Sequence, residues 1–163
     1  MTDAVSGVIV RRRGTVGHVS LDRPEAINAL TTSMVRRVQA ALDAWRDDPR
    51  VLTILLDGRG ERGFCAGGDI RFVHDSILGD SSRVLELWQA QYHLAVTVAE
   101  YSKPVVTVAD GVTMGGGMGL ACHASHRVVT RRSRLGMPEV GIGLAPDVGG
   151  LYLLAHALRV RVS

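Results

Sequence analysis

The stretch Pro104-Val105-Val106-Thr107-Val108-Ala109-Asp110-Gly111-Val112-Thr113-Met114-Gly115-Gly116-Gly117-Met118-Gly119 decides how this chain is read. Pro104–Val108 is a β-branched apolar run, the composition of a buried strand. Gly111–Gly119 then holds five glycines in nine residues, and apolar Leu120-Ala121 follows. A glycine-rich loop between a buried strand and a helix is a place for a ligand. Without Cβ atoms the backbone approaches a bound group closely, and its N–H groups and the helix dipole favour an anion.

The pattern occurs a second time upstream. Val51–Leu56 (VLTILL) is apolar without alternation, which predicts a strand buried on both faces. Asp57–Gly63 is polar and reads as a loop, and Phe64–Asp69 (FCAGGD) reads as a second glycine-rich loop. Asp69 stands where its side chain would cap the following helix. Two such loops, Cys65–Asp69 and Met114–Gly119, supply two backbone N–H groups that can converge as an oxyanion hole. Familiar alternatives fail. No Lys-Ser/Thr of a P-loop follows Gly111–Gly117, residues 115–120 do not read G-x-G-x-x-G, and G-x-S-x-G is absent. A third segment, Met137–Gly150, sets Glu139 and Asp147 in an otherwise uncharged run. Such carboxylates are either exposed on a turn or held in a site with raised pKa, where the pair would serve as base and orienting partner.

Working outward, Val5–Val10 and Thr15–Leu21 read as strands of a hairpin punctuated by Gly14. Arg23–Asn28 reads as a loop. A helix is predicted from Thr32, with Met34, Val35, Val38, Leu42 and Trp45 on one apolar face and Asp47-Asp48-Pro49 ending it. A long helix is predicted over Ser82–Tyr101, a short strand at Val128-Val129, and a helix start over Leu151–Leu158. Strands alternating with helices predict an α/β layered fold with a largely parallel sheet.

Length and composition agree with one domain spanning residues 1–163: 163 residues, 46% hydrophobic and 21% charged. Aromatic residues make up 4%, too few for stacking on single-stranded nucleic acid, and the net charge of +3 is mild. Arg11-Arg12-Arg13 reads as a solvated strand end, and no nucleic-acid partner is expected. No apolar stretch reaches the roughly 18–20 residues that span a membrane. Met1-Thr2-Asp3-Ala4 lacks the basic start of a secretory leader, so a cytoplasmic location is expected. Cys65 and Cys122 read as small buried hydrophobes, and His74, His93, His123 and His126 lack zinc-site spacing, so no metal is expected. Arg23, Arg71 and Lys103 read as surface charges.

Leu21-Asp22-Arg23-Pro24-Glu25-Ala26-Ile27-Asn28-Ala29-Leu30, Phe64–Ile70, Lys103-Pro104, Asp110–Gly119 and Pro138–Gly150 agree in order and spacing with one family. By them the chain resembles the crotonase (enoyl-CoA hydratase/isomerase) superfamily. Within it the phrases GGDIR, TMGGGMGL, SHRVVT and MPEVGIGLAPDVGG look most like the 3-hydroxyisobutyryl-CoA hydrolase family. The resemblance implies a ββα spiral of the ClpP/crotonase type and an acyl-CoA thioester substrate. It also implies no cofactor beyond the CoA of the substrate, and a homotrimer or hexamer. It makes the N–H groups of Gly68 and Gly116 the oxyanion hole, Glu139 a general base or a nucleophile, and Asp147 its partner. Ala26, Ala66, Asp69, Ile70, Gln91, Gly115 and Gly117 join these four as substrate-binding positions.

Carboxylate positions set the chemistry implied. The first glutamate of a hydratase-like pair belongs where this chain has Gly119, while Asp147 matches the hydrolases. The resemblance therefore implies hydrolysis of 3-hydroxyisobutyryl-CoA, a step of valine catabolism. A hydratase or isomerase using Glu139 alone, and a catalytically impaired acyl-CoA-binding fragment, are the alternatives. Ala90-Gln91-Tyr92 stands where the hydrolases place an acidic residue before the tyrosine. The family's hydrolases also run on much further, so a truncated chain without the C-terminal helices over the acyl pocket is expected.

Overall fold

The computed structural model describes residues 7–155; Val5 and Ser6 of the first predicted strand and residues 156–158 of the last predicted helix lie outside them. The chain opens with the hairpin β1 (Val8–Arg13) and β2 (Val16–Leu21), paired antiparallel with Val8 opposite Leu21. Helix α1 (Thr32–Arg46) follows, its first turn capped by the Thr31 side chain, which accepts from Met34 N–H at 3.3 Å. Its buried residues Met34, Val35, Val38, Leu42 and Trp45 are the predicted apolar face. At its far end Lys103 Nζ donates to the carbonyls of Trp45 (2.5 Å) and Asp48 (2.7 Å). Lys103 is thus a helix-end cap and not the free surface charge expected, because a cation there meets both unpaired carbonyls and the dipole.

Three strand pairs then wind as a spiral. β3 (Thr53–Gly58), β5 (Val105–Ala109) and β7 (His126–Val129) extend the first sheet in the order β1-β2-β3-β5-β7, all parallel after the hairpin. Each is followed by a three-residue strand of a second parallel sheet: β4 (Gly63–Cys65), β6 (Val112–Met114) and β8 (Arg134–Gly136), in the order β4-β6-β8. Helices α2 (Ile70–Leu78) and α3 (Ser82–Ala99) follow β4, α4 (Gly116–His123) follows β6, and α5 (Gly150–Ala155) closes the described chain.

The core lies between one face of the large sheet and α1 and α3. Val19, Leu21, Ile54, Leu56 and Val105 meet Leu42, Leu87, Leu94 and Val98 there, all nearly inaccessible. Burying such a side chain contributes roughly 1.5–3 kcal/mol. The run VLTILL is not buried on both faces as expected. Val51, Ile54 and Leu56 are buried, whereas Leu52 is 57% exposed. Within β3, Ile54 and Leu56 are buried while Thr53 and Leu55 are only partly so, and the strand alternates although its sequence does not.

Candidate active site

The small sheet aims three loops. Its strands are parallel, so the segments leaving β4, β6 and β8 emerge at one end, the carboxyl end where α/β proteins place ligands. They are Ala66–Gly68, Gly115-Gly116, and Met137-Pro138 leading into a 3₁₀ turn at Glu139–Ile142. Together with α3 and the segment around Asp147 they enclose a cleft of about 200 Å³. Ala66, Gly68 and Ile70 line it from the first loop, Gly115 and Gly116 from the second, and Glu139 and Asp147 from the third; Gln91 comes from α3.

Gly68 forms a parallel bridge with Leu30. Leu30 N–H donates to Gly67 O (2.7 Å) and Asp69 N–H to Leu30 O (3.0 Å). Both bonds belong to the neighbours of Gly68, so its own N–H turns to the opposite side, toward the cleft it lines. In α4 the first intrahelical bond runs from Gly119 N–H to Gly115 O at 3.1 Å, which leaves the Gly116 N–H over as an end-of-helix donor. Gly115 is in the left-handed half of backbone space, φ +46°, and a Cβ there would lie 2.7 Å from Glu139 Oε1. The carboxylate therefore packs directly onto this glycine.

Two polar atoms of the cleft are buried without a hydrogen-bond partner among the described residues. One is Glu139 Oε2, on a residue 7% exposed; the other is Gln91 Nε2, on a residue 6% exposed. Leaving such an atom unmatched costs about 1–3 kcal/mol, a cost that fits a site whose missing partner is a ligand. A Cβ on Gly68 or on Gly116 would meet Gln91 Nε2 at 3.3 Å, so this amide lies against both glycines. Asp147 is half-buried, and burial, followed by the charge of the facing Glu139, pushes its carboxyl above the ordinary range. Gly119 offers no carboxylate, and its place is filled: a Cβ there would meet Val148 Cβ at 2.9 Å.

Three predicted positions stand apart from the cleft lining. Ala26 lies in the 3₁₀ turn Pro24–Ala26, joined to the site through the next residue, whose carbonyl accepts from Ala66 N–H at 2.9 Å. Gly117 packs on the strand behind, where a Cβ would lie 2.6 Å from Cys65 O. Asp69 caps α2 through the N–H groups of Arg71 (3.1 Å) and Phe72 (3.3 Å) and pairs with Arg23 at 2.5 Å. Burial opposes its charge, but Arg23 and the two N–H groups prevail and hold the carboxyl below its ordinary range. Arg23 is therefore half of an internal ion pair and not the surface charge expected; only folding brings its partner near. Cys65 is fully buried and its thiol is pushed up to about 12 by burial, which suits a core residue.

Sequence reasoning missed the apolar wall of the cleft, Val73, Leu87, Trp88 and Leu144. A signal for α3 existed: Val84, Leu87, Leu94 and Val98 mark its buried stripe, and Gln91 is a polar residue set within it. Among the described residues no cluster of His, Cys, Asp and Glu is placed to hold a metal ion, and no helix is long and apolar enough to cross a membrane.

Comparison with known proteins sharpens this picture. The enoyl-CoA hydratase/isomerase family matches residues 16–161. 3-Hydroxyisobutyryl-CoA hydrolase, mitochondrial, of Bos taurus is 40% identical over 153 residues, 94% of this chain and 40% of the relative. That of Rattus norvegicus is 43% identical over 147 residues, 90% of this chain and 38% of the relative. The chain thus spans about 40% of the length of the curated relatives it matches. Among solved structures, a carnitinyl-CoA dehydratase from Mycobacterium thermoresistibile superposes with TM-score 0.91 at 46% identity, over 93% of this chain and 44% of that one. An enoyl-CoA hydratase from Rhodobacter sphaeroides superposes with TM-score 0.89, also at 46% identity, over 93% of this chain and 45% of that one. The curated relatives are mitochondrial by name, which overturns the expected cytoplasmic location. That expectation rested on Met1–Ala4, and the lack of a secretory leader there carries no information about compartment. With the spiral of paired strands, the glycine loops at one end of the small sheet and these matches in agreement, the chain has the crotonase fold and belongs to the enoyl-CoA hydratase/isomerase family.

Proposed function

We propose that this chain carries the site of an acyl-CoA thioester hydrolase, converting 3-hydroxyisobutyryl-CoA and water to 3-hydroxyisobutyrate and CoA. The observation that carries this reading is the pairing of Glu139 with Asp147 in one cleft while Val148 fills the space beside Gly119. A hydration machine needs a carboxylate at Gly119; a hydrolase needs only a base or nucleophile and a partner for the leaving group.

The thioester carbonyl oxygen sits between the N–H groups of Gly68 and Gly116. These stabilise the oxyanion that forms on attack, by roughly 3–4 kcal/mol per donor in comparable sites. Glu139, buried with a free oxygen, drives the attack in one of two ways. It takes a proton from water as the water adds to the carbonyl, or it adds to the carbonyl itself, giving an anhydride that water then opens. Either way the C–S bond breaks and the sulfur leaves with a proton. Asp147 suits the supply of that proton, because its carboxyl stays protonated at higher pH than an ordinary one. Gln91, with its unmatched amide beside both glycines, binds the acyl group. Label found in Glu139 after a single turnover in H₂¹⁸O would establish the anhydride route, since only water opening the anhydride at the Glu139 carbonyl can place it there.

The similarity to a carnitinyl-CoA dehydratase and an enoyl-CoA hydratase of known structure favours a second reading, a hydratase or dehydratase. One experiment decides between them: the 163-residue chain is incubated separately with 3-hydroxyisobutyryl-CoA and crotonyl-CoA, and products are identified by mass. Release of CoA from the first with no hydration of the second is expected. Hydration of crotonyl-CoA, or no CoA release, would overturn the hydrolase reading.

A further inference from the structure

Val148 has φ +44°, a left-handed conformation that a β-branched residue adopts only where its surroundings impose it. The surroundings are two residues of α4. On one side the Val148 side chain, 2% exposed, occupies the gap left by Gly119, where a Cβ would be 2.9 Å from both Val148 Cβ and Cγ2. On the other, His123 Nε2 lies 2.8 Å from the Val148 carbonyl oxygen. A carbonyl only accepts, so Nε2 carries the proton, in the neutral ring or in the charged one. Gly119 and His123 are four residues apart and share one face of the helix. Gly149, φ +77°, lies against the same ring, and Gly150 N–H donates to Asp147 O at 2.8 Å to close the turn.

The residue next to Asp147 is therefore gripped twice by α4, the helix whose first residue is Gly116. We propose that His123 is a positioning residue: by holding the Val148 carbonyl while the Val148 side chain fills the space over Gly119, it fixes the Asp147 carboxylate in the cleft beside Glu139. The inference takes its importance for turnover from the hydrolase reading, but its geometry can be tested without turnover. Burial raises the Asp147 carboxyl; among the described residues the charged group acting on it through space is Glu139, which raises it further, and a hydrogen bond from the Asp147 backbone opposes both.

The test uses the 163-residue chain and two readouts, the ¹³C-carboxyl titration of Asp147 and the steady-state release of CoA from 3-hydroxyisobutyryl-CoA. Gln at position 123 keeps an N–H donor of sufficient reach, whereas Asn is one methylene shorter. In the wild type Asp147 titrates above an ordinary aspartate. His123→Asn returns that titration toward the ordinary value and lowers kcat between about tenfold and a hundredfold at KM within about twofold, the signature of a misplaced reacting group. His123→Gln restores both. Gly119→Ala, which pushes Val148 from the other side, shifts the titration as His123→Asn does and serves as the test if the latter does not fold. An unchanged Asp147 titration in either folded variant overturns the positioning role. A wild type that releases no CoA, with the titrations moving as described, overturns the hydrolase reading and leaves the positioning role standing.

Discussion

The two sheets of this molecule divide its labour. The large one is built from strands of four to six residues whose inner side chains, Val19, Ile54, Leu56 and Val105 among them, make the core with α1 and α3. The small one has three strands of three residues each, and the loops at its carboxyl end hold Gly68, Gly116 and Glu139. Three residues give little packing of their own. They suffice because every short strand is flanked by a long one from the same turn of the spiral, which fixes where it starts. The large sheet supplies stability and the small sheet supplies aim.

If that division holds, variants at the two sheets should fail in different assays. The largest effect is expected at Glu139→Gln, which keeps shape and removes the base or nucleophile. CoA release should fall by about 10²–10⁴, while binding of CoA, followed by calorimetry, is retained. Near wild-type rates would remove Glu139 from the mechanism and with it the assignment of chemistry to the small-sheet loops. Next comes Ile54→Ala in β3, a residue fully inaccessible to solvent. It should cost about 2–5 kcal/mol in urea unfolding, since a cavity remains where the methyl groups were. The kcat of the molecules that stay folded should not change. A fall in kcat there would mean that the large sheet also aims the site.

The same division governs how much of the molecule was legible in the sequence. α1 reads directly, because Met34, Val35, Val38, Leu42 and Trp45 repeat at helical spacing over about three turns. The hairpin and α3 read the same way. β4 falls in stretches that read as loop, β6 lies within the glycine-rich run Gly111–Gly119, and no element is predicted at β8: Gly63-Phe64-Cys65 and Arg134-Leu135-Gly136 each carry a glycine, and a three-residue strand is too short for alternation to register. Their pairing is set by the spiral and not by local preference. The carboxylates were legible because charge is conspicuous in an apolar run. Arg23 and Lys103 were not, because their partners lie 46 and 55 residues away in sequence. His123 gave no signal for a similar reason; its acceptor is a backbone carbonyl 25 residues on.

The smallest expected effect tests the boundary between aim and stability at Asp147. Its carboxyl is raised in the folded protein by burial and then by Glu139. A group raised in this way favours the folded state fully only below its unfolded pKa, and that contribution is lost as pH rises through the folded value. Above that range the ionised Asp147 therefore works against folding. Asp147→Asn cannot ionise, so its melting temperature should exceed that of the wild type at pH 8. The advantage should shrink as the pH is lowered toward 4, where both side chains are largely neutral. Turnover should fall in the same variant, because the amide has no proton to give the departing sulfur. Loss of turnover together with a gain in stability at high pH is what a small-sheet site would show if its geometry is maintained by the core elsewhere. A melting difference independent of pH would place Asp147 in water, outside the pressure of Glu139, and would break the cleft as drawn.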